Sequence, residues 1–461
     1  MAKATDARVK DLQAYVLPLE QRMPLKFGGR VTSKMGTVRV RMTLEDQAGK
    51  RAEGWGETPL ATQWSWPSSV PDTERYAAMQ AFCARLAKAW RGFGDSGHPL
   101  EVGWDFVDGV LPKELEAFNA ARGGEPMPWL CALVCCSAFD QALHDTYGVL
   151  HDVPIYETYN AKWISRDLAG FLQPASSHVS FSGRFPNEYL TPRQARLPAW
   201  HLVGALDPID ESELKGTEPR DGLPVLLADW IRADGLKCLK IKLNGADAEW
   251  DYARIVKVGT LAVALGVDWL TTDFNCTVTD PEYVNAILDR LLKEQPRLYG
   301  MLLYVEQPFP YDLERHRIDT HSVAARKPLF LDESAHDWKH VRTGRELGWT
   351  GVALKTCKTQ SGALLSLCWA RAHGMTLMVQ DLTNPRLAQL AHLQLAAHAG
   401  TIMGVETNSM QFWPAASAEE AQVHPGAYRR REGVMDLATL RGPGFGYRVA
   451  EIRRELPEPL A

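Results

Sequence analysis

LKCLKIK (236–242), VDWLTTDFN (267–275), GMLLYVEQP (300–308), KPLFLDES (327–334) and TGVALK (350–355) share one arrangement, an apolar run that stops at a charge. The runs end at Lys240 and Lys242, Asp273, Glu306, Asp332 and Lys355. A short, continuous apolar run bounded in this way reads as a strand buried on both faces, as in a parallel sheet. The spacing between successive charged ends suits one strand–loop–helix–loop unit, so the charges belong to successive strands. In a closed parallel sheet, chemistry sits at the C-terminal ends of the strands. Three carboxylates lying between two lysine positions therefore point to a hard-metal site flanked by bases.

Outward from these runs, strands are expected near 199–205, 237–242, 268–273, 301–306, 328–332, 350–355, 375–380 and 401–405. Segments such as AEWDYARIVKVGTLAVALG, PEYVNAILDRLLKE and GALLSLCWARAHG carry helical periodicity between them. Eight strands alternating with helices indicate a parallel (β/α) barrel. Residues 8–60 alternate apolar and polar in short runs, predicting an antiparallel meander with a turn at Asp46-Gln47-Ala48-Gly49. Residues 72–92 and 128–147 read as helices. The stretch 151–198 is polar and Pro-containing and reads as an insertion or a long surface excursion. The last segment returns to short strand patterns with Gly-Pro-Gly punctuation and is expected to rejoin the N-terminal domain. The expected organisation is a domain over 1–150, the 151–198 segment, a barrel over 199–415, and a C-terminal segment over 416–461.

At 461 residues the chain fits two domains, one of them a barrel. The net charge of -5 and pI near 6.2 argue against nucleic acid or an anionic membrane as a main partner. The first residues, MAKATDARVKDLQAY, lack the apolar core of a secretory signal. No stretch approaches the roughly 20 apolar residues that span a bilayer. A cytoplasmic protein is the expectation, with a small-molecule partner and assembly as a homo-oligomer. Eight cysteines in this length are not a disulfide scaffold. Cys131 and Cys135 have a metal-pair spacing but sit in an apolar helical run, where burial as small hydrophobes is the better reading.

Asp273, Glu306 and Asp332 have no nearby His or Cys, and oxygen-only ligation favours Mg²⁺ over zinc or copper. Any one of them could be a helix cap or an ion-pair partner. Three like charges converging from successive strands repel unless a cation balances them. Lys240 and Lys242 flank Ile241 and project to one face of their strand. With Ile241 suited to the helix layer, both lysines point inward. Lys240 then sets a positive charge beside Lys242, a setting in which an amine gives up its proton more readily. Lys355 ends the sixth strand across the ring, so two bases could work on opposite faces of one substrate. Lys358 reads as an ordinary loop or helix-side lysine.

The ordered set Lys240-Ile241-Lys242, Asp273-Phe274-Asn275, Glu306-Gln307-Pro308, Asp332-Glu333-Ser334 and Ala353-Leu354-Lys355 resembles the enolase superfamily, within it the muconate lactonizing enzyme-like subgroup. PLKFG at 24–28, GWGE at 54–57, SAFDQALHD at 137–145 and GPGFGYRV at 442–449 extend the resemblance over nearly all the chain except 151–198. It implies a modified TIM barrel, (β/α)₇β, under an N-terminal α+β capping domain completed by the C-terminal segment. It further implies Mg²⁺ held by Asp273, Glu306 and Asp332, with Lys242 and Lys355 as opposed acid/base lysines. The implied first step removes a proton α to a carboxylate, giving an enediolate whose charge must be offset. Asn275 and Glu333 are implied as supports of the metal shell, and Glu406 as a hydrogen-bonding partner of the bound carboxylate or enediolate.

Two departures bear on specificity. Dipeptide epimerases of this subgroup usually carry Asp-x-Asp after the eighth strand, where this chain has Glu406-Thr407-Asn408. The seventh strand ends in Gln380-Asp381 without a histidine, unlike mandelate racemase-like members. Asp381 is an unexpected charge there, suited to a substrate cation, a lysine or a helix cap. The resemblance places specificity in two capping loops, one carrying Arg22, Lys26 and Arg30, the other Trp55, Trp64 and Trp66. A racemase, epimerase or cycloisomerase acting on a carboxylate is the leading expectation. A dehydratase, with Asp381 as its acid, is the alternative, and a non-catalytic barrel is a third.

Overall fold

The computed structural model describes residues 3–24, 26–27, 30–31 and 35–460. Strands β1 (Ala7–Pro18), β4 (Gly36–Asp46) and β5 (Arg51–Pro59) form an antiparallel sheet in the order β1-β4-β5. Two short strands, β2 (Lys26–Phe27) and β3 (Arg30–Val31), pair between β1 and β4 in the chain. The side chains of Lys26 and Arg30 lie outside the described residues. The Asp46 carboxylate accepts from the backbone N–H of Ala48 and Lys50, and Gly49 takes φ +82°, so the turn forms where its residues favour it.

Five helices follow: α1 (Thr62–Ser65), α2 (Asp72–Gly92), α3 (Pro99–Gly109), α4 (Leu111–Arg122) and α5 (Trp129–His151). On α2, Met79, Phe82, Cys83, Leu86 and Trp90 recur at three- and four-residue spacing and are buried. Helix α5 is buried on nearly all sides, which its continuous apolar sequence allows. It lies on β5 at Gly54 and Gly56. A Cβ at Gly56 would stand 2.1 Å from the Ala138 carbonyl oxygen.

Residues 152–195 form three short 3-10 turns and irregular backbone, yet Tyr159, Ile164, Leu168, Leu172 and Phe181 are buried. The segment is tied down by the Trp369 indole donating to the Gln173 carbonyl and by the Ala175 N–H donating to the His373 ring. It is a packed layer rather than a loose excursion.

The second sheet is parallel and curls through β6 (Arg196–Val203), β7 (Cys238–Lys242), β8 (Trp269–Asp273), β9 (Leu302–Glu306), β10 (Leu329–Leu331), β11 (Gly351–Leu354) and β12 (Thr376–Val379). It continues on the other side of β6 with β13 (Val405–Glu406), and the Ile402 N–H reaches the Leu377 carbonyl across the remaining gap. Helices α6 (Leu227–Asp234), α7 (Ala248–Ala264), α8 (Pro281–Glu294), α9 (Pro296–Met301), α10 (His321–Ala324), α11 (Trp338–Glu346), α12 (Gln360–Ala372) and α13 (Arg386–Ala399) fill the connections. Short helices α14 (Ser409–Phe412), α15 (Ala418–Val423) and α16 (Pro425–Tyr428) precede β14 (Val434–Asp436). The fold is a capped α/β barrel of the (β/α)₇β kind.

Strand β14 pairs antiparallel with β6 at the barrel, and the chain then reaches the N-terminal helices. There the Phe445 N–H donates to Asp145 of α5, and the Leu460 N–H donates to the Ala14 carbonyl of β1. No helix among the described residues is long and apolar enough to cross a membrane. All eight cysteines are free thiols, and Cys131 and Cys135 are buried in α5.

The barrel floor sets the mouth. Trp200, Cys238, Tyr304, Phe330 and Met378 point inward and pack on one another, with the Tyr304 and Phe330 rings stacked at 4.2 Å. Side chains two residues further along a strand share its face. Lys240, Glu306, Asp332 and Gln380 therefore stand in the next layer up, at the C-terminal ends.

Candidate active site

Each mouth residue owes its position to strand register. Lys242, Asp273 and Glu306 are successive partners across β7, β8 and β9. The Lys240 ammonium lies 2.6 Å from Glu306 Oε1, 3.1 Å from Glu406 Oε2 and 3.1 Å from Asp273 Oδ2. Lys242 Nζ donates to Asp273 Oδ2 and, at 2.7 Å, to Asn275 Oδ1. Across the ring, Lys355 Nζ stands 3.2 Å from Asp332 Oδ2 and donates to the Asp381 carbonyl at 3.0 Å. Lys240, Lys242, Asp273, Glu306, Asp332, Lys355 and Glu406 are all buried.

The strand ends are locked by backbone that side chains rarely adopt. Asn275 takes φ +52° and Gln307 φ +31°, conformations that cost energy in residues other than glycine and gather at functional sites. The Asn275 N–H donates to Asp273 Oδ1. Gln307 Oε1 accepts from the Asp332 and Ser334 N–H groups, fastening the end of β9 to the end of β10. Gln380 donates to Glu306 Oε2 and to the Tyr304 hydroxyl. The sequence marks Gln380 only as a missing histidine; its role is visible once β12 is in place.

Burial opposes charge on both Lys240 and Lys355, and their carboxylate neighbours more than restore it, Glu306 first for Lys240 and Asp332 for Lys355. Both ammoniums are held above the ordinary lysine range. Burial would raise Asp273, but Lys242 and Lys240 hold its carboxyl well below the usual range. Glu333 is pushed up to about 7 by burial and then by the charge of Asp332. Asp381 is pushed up to about 6 by burial and then by Glu406. Lys240 is thus enclosed by carboxylates and is not a lone cation beside Lys242.

Asp381 does not face the mouth as a free acid. Its Oδ2 accepts from the N–H of Asn384 and Asn408, and its Oδ1 accepts from the Asn408 amide at 3.1 Å. That amide also donates to Glu406 Oε1 at 2.8 Å. Asn408, which the sequence marked only as a departure, links Asp381 to Glu406.

The capping loops divide their residues. Arg22 is engaged by Asp221 at 2.6 and 2.9 Å and by the Leu223 and Pro224 carbonyls. Trp55 stacks on Tyr15 in the N-terminal sheet, and the Trp66 indole donates to Glu125. Trp64 alone of the three reaches the barrel lysines, its ring 5.5 Å from both Lys355 and Lys358. Lys358 is buried, donating to the Asp332 carbonyl, and is not the ordinary loop lysine expected of it.

The donor set fits a hard divalent cation by chemistry. Asp273, Glu306 and Asp332 are buried carboxylates on adjacent strands, and Asp332 Oδ1 accepts no hydrogen bond. As the side chains stand, no three such donors among the described residues converge to hold an ion; the Lys240 ammonium lies between Asp273 and Glu306.

Fold and mouth together define a capped parallel barrel that presents buried carboxylates and lysines at one rim. Residues 224–453 match the family model described as Enolase C-terminal domain-like. These residues therefore carry a C-terminal domain of the enolase superfamily, mandelate racemase/muconate lactonizing enzyme-like in kind. Among solved structures it resembles a muconate lactonizing enzyme from Mucobacterium Smegmatis, with TM-score 0.60 and 16% identity, over 97% of this chain and 100% of that one. A dipeptide epimerase from Enterococcus faecalis gives TM-score 0.59 and 16% identity over 95% and 99% of the two chains. An L-Ala-D/L-amino acid epimerase from Pedosphaera parvula is 28% identical over 177 residues, 38% of this chain and 48% of that protein. The match thus spans about half the length of that relative. The similar proteins include racemases and epimerases, and enzymes of the superfamily generally use Mg²⁺.

Proposed function

We propose that the protein is a Mg²⁺-dependent isomerase that abstracts a proton α to a substrate carboxylate and returns it by a two-lysine mechanism. Racemisation, epimerisation or cycloisomerisation are the outcomes this supports. The observation that carries the reading is the ring itself: Lys242 ending β7 and Lys355 following β11, both buried, with Asp273, Glu306 and Asp332 on the strands between. Asp273, Glu306 and Asp332 would hold the cation, which would supply positive charge to offset the charge left as the α-proton is removed. Lys242 takes the proton from one face, and Lys355 delivers one to the other. Lys240, positioned by Glu406, holds the carboxylate end, and the two lysines exchange acid and base roles for the opposite enantiomer. The dehydratase alternative loses support because Asp381, its only candidate acid, is occupied by Asn408 and two backbone N–H groups.

The test is α-deuterium exchange in D₂O with Mg²⁺ across a carboxylate panel. Lys242→Ala and Lys355→Ala are each expected to abolish exchange of one enantiomer, a different one for each variant. If neither variant changes exchange or turnover of any carboxylate, the lysine assignment fails.

A further inference from the structure

Both capping loops spring from one corner of the N-terminal sheet. Strand β1 ends at Pro18 and β4 begins at Gly36, so they are the two stems of the first loop; β5, ending at Pro59, is the stem of the second. At the corner the Leu19 N–H donates to the Met35 carbonyl and the Leu60 N–H to the Gly36 carbonyl. From there each loop reaches the barrel. The Arg22 N–H donates to the Phe412 carbonyl, and Trp64 stands over Lys355 and Lys358. Arg386, the first residue of α13, projects into that corner from the barrel side and is 5% exposed. Its Nη2 donates to the Pro18 carbonyl at 2.7 Å, and its Nη1 donates to the Thr37 hydroxyl at 3.0 Å and the Leu17 carbonyl at 3.4 Å. Its Nε donates to the Ala416 carbonyl at 3.0 Å. One guanidinium thus holds both stems of the first loop, and it lies 3.8 Å from Glu57 on the stem of the second. A planar five-donor fork can serve so many acceptors at once; an ammonium on a flexible stem cannot.

Charge balance for the buried Glu57 does not explain the placement. Arg39 already meets Glu57 at 2.6 Å, and the shorter bonds of Arg386 go to the loop stems. The backbone carries the same sign of purpose. Arg386 takes φ +52° and Thr383 φ +54°, a region that costs energy in residues with a Cβ and persists where the surroundings enforce it. Here the Arg386 N–H donates to Ser417 Oγ, its carbonyl accepts from the Tyr428 hydroxyl, and the Thr383 carbonyl accepts from the Trp413 indole. The other end of the same short loop lies at the mouth, where the Asp381 carbonyl accepts from Lys355 Nζ and its carboxylate engages Asn408. The β12–α13 loop is therefore a braced strut between the roots of the capping loops and the residues around Lys355.

We propose that Arg386 is a positioning residue that sets both capping loops over the mouth, so that its loss weakens the hold on substrate and leaves the proton chemistry standing. The consequence for turnover rests on the proton-abstraction reading; the anchoring of the loops does not. Amide hydrogen exchange of the whole protein reads the anchoring, because local opening is reported segment by segment. In Arg386→Met, exchange over residues 19–24 and 60–66 is expected to speed at least tenfold, with β8 and β9 as in wild type. Arg386→Lys keeps a charge beside Glu57 but not the fork, and is expected to speed the same segments at least threefold. Should Arg386→Met not fold, Arg386→Lys carries the test. α-Deuterium exchange of N-acetyl-L-amino acids with Mg²⁺ reads the consequence. Loss of binding without loss of chemistry raises KM at least fivefold and keeps kcat within threefold of wild type. Should wild type exchange none of these acids, amide exchange decides alone. Unchanged loop exchange in the folded variants overturns the anchoring, as does exchange that speeds equally along the whole chain. A fall in kcat at unchanged KM overturns the positioning role. Loosened loops, with no α-proton exchange in any carboxylate by wild type, remove the reading beneath and leave the anchoring.

Discussion

Asp381 stands at a strand end where a substrate acid would be sought, but its hydrogen bonds give it different work. Its carboxylate accepts from Asn408 twice, and Asn408 in turn holds Glu406. Glu406 meets Lys240, so Asp381 acts on the mouth through two intermediates. It is a positioning residue. Groups that orient other site residues typically account for 10–100-fold in affinity or activity. Asp381→Ala is therefore expected to lower kcat/KM by about 10–100-fold, mainly through kcat, while Asp381→Asn retains part of it. Unaltered steady-state kinetics in Asp381→Ala would falsify the linkage. Charge type and strand-end position were legible in the sequence for the five runs. The partners of Asp381 were not, because the Asn408 amide that engages it arrives from a different strand end.

At the scale of the element, β5 and α5 show how closely the cap is assembled. Gly54 and Gly56 let the strand's backbone approach the helix backbone; a Cβ at Gly54 would lie 2.4 Å from the Thr146 nitrogen. Neither backbone can yield without moving a whole element. Overpacking in well-filled cores costs typically 1–3 kcal/mol and sometimes more. Gly56→Ala is expected to destabilise the protein by about 3 kcal/mol, read as a lower urea midpoint. A midpoint within error of wild type would show that helix and strand separate more easily than their packing implies. Elements with a strong period were legible: α2 begins and ends at 72 and 92 as its apolar spacing indicates. Strand β13 was not. It starts at Val405, where the sequence suggested a strand from 401, because only two of its residues join the ladder to β6. The layer over 152–195 was illegible for a related reason. Its buried aromatic residues answer to α5 as well as to α12 and α13, not to a local period.

Over the whole molecule, cap and barrel are joined by buried polar clusters as well as by apolar packing. Arg39 of β4 meets Glu57 of β5 at 2.6 Å and Glu420 of α15 at 2.9 Å, and Arg454 closes the group from the tail. A second cluster joins α5 to α12. His144 Nε2 lies 2.9 Å from Ser361 Oγ, its Nδ1 lies 2.9 Å from the Tyr159 hydroxyl, and Ser361 donates twice to Asp140 at 2.8 Å. Complete burial holds the His144 imidazole down to about 3 and lifts the Asp140 carboxyl to about 6. The two act on stability with opposite signs. Between about 3 and the ordinary histidine value near 6.5, the unfolded chain binds a proton at His144 that the folded chain refuses. That contribution is complete above pH 6.5 and is lost as pH falls, at up to about 1.4 kcal/mol per pH unit. Asp140 binds its proton more readily when folded, so its contribution falls as pH rises from 3.8 to about 6. Comparing wild type with His144→Gln isolates the first effect, since Asp140 is present in both. The stability advantage of wild type over the variant is expected to shrink by about 2 kcal/mol between pH 7 and pH 5, measured by urea unfolding at each pH. An advantage that stays constant over that range would mean that His144 accepts a proton within the folded joint, and that the α5–α12 contact is open to water.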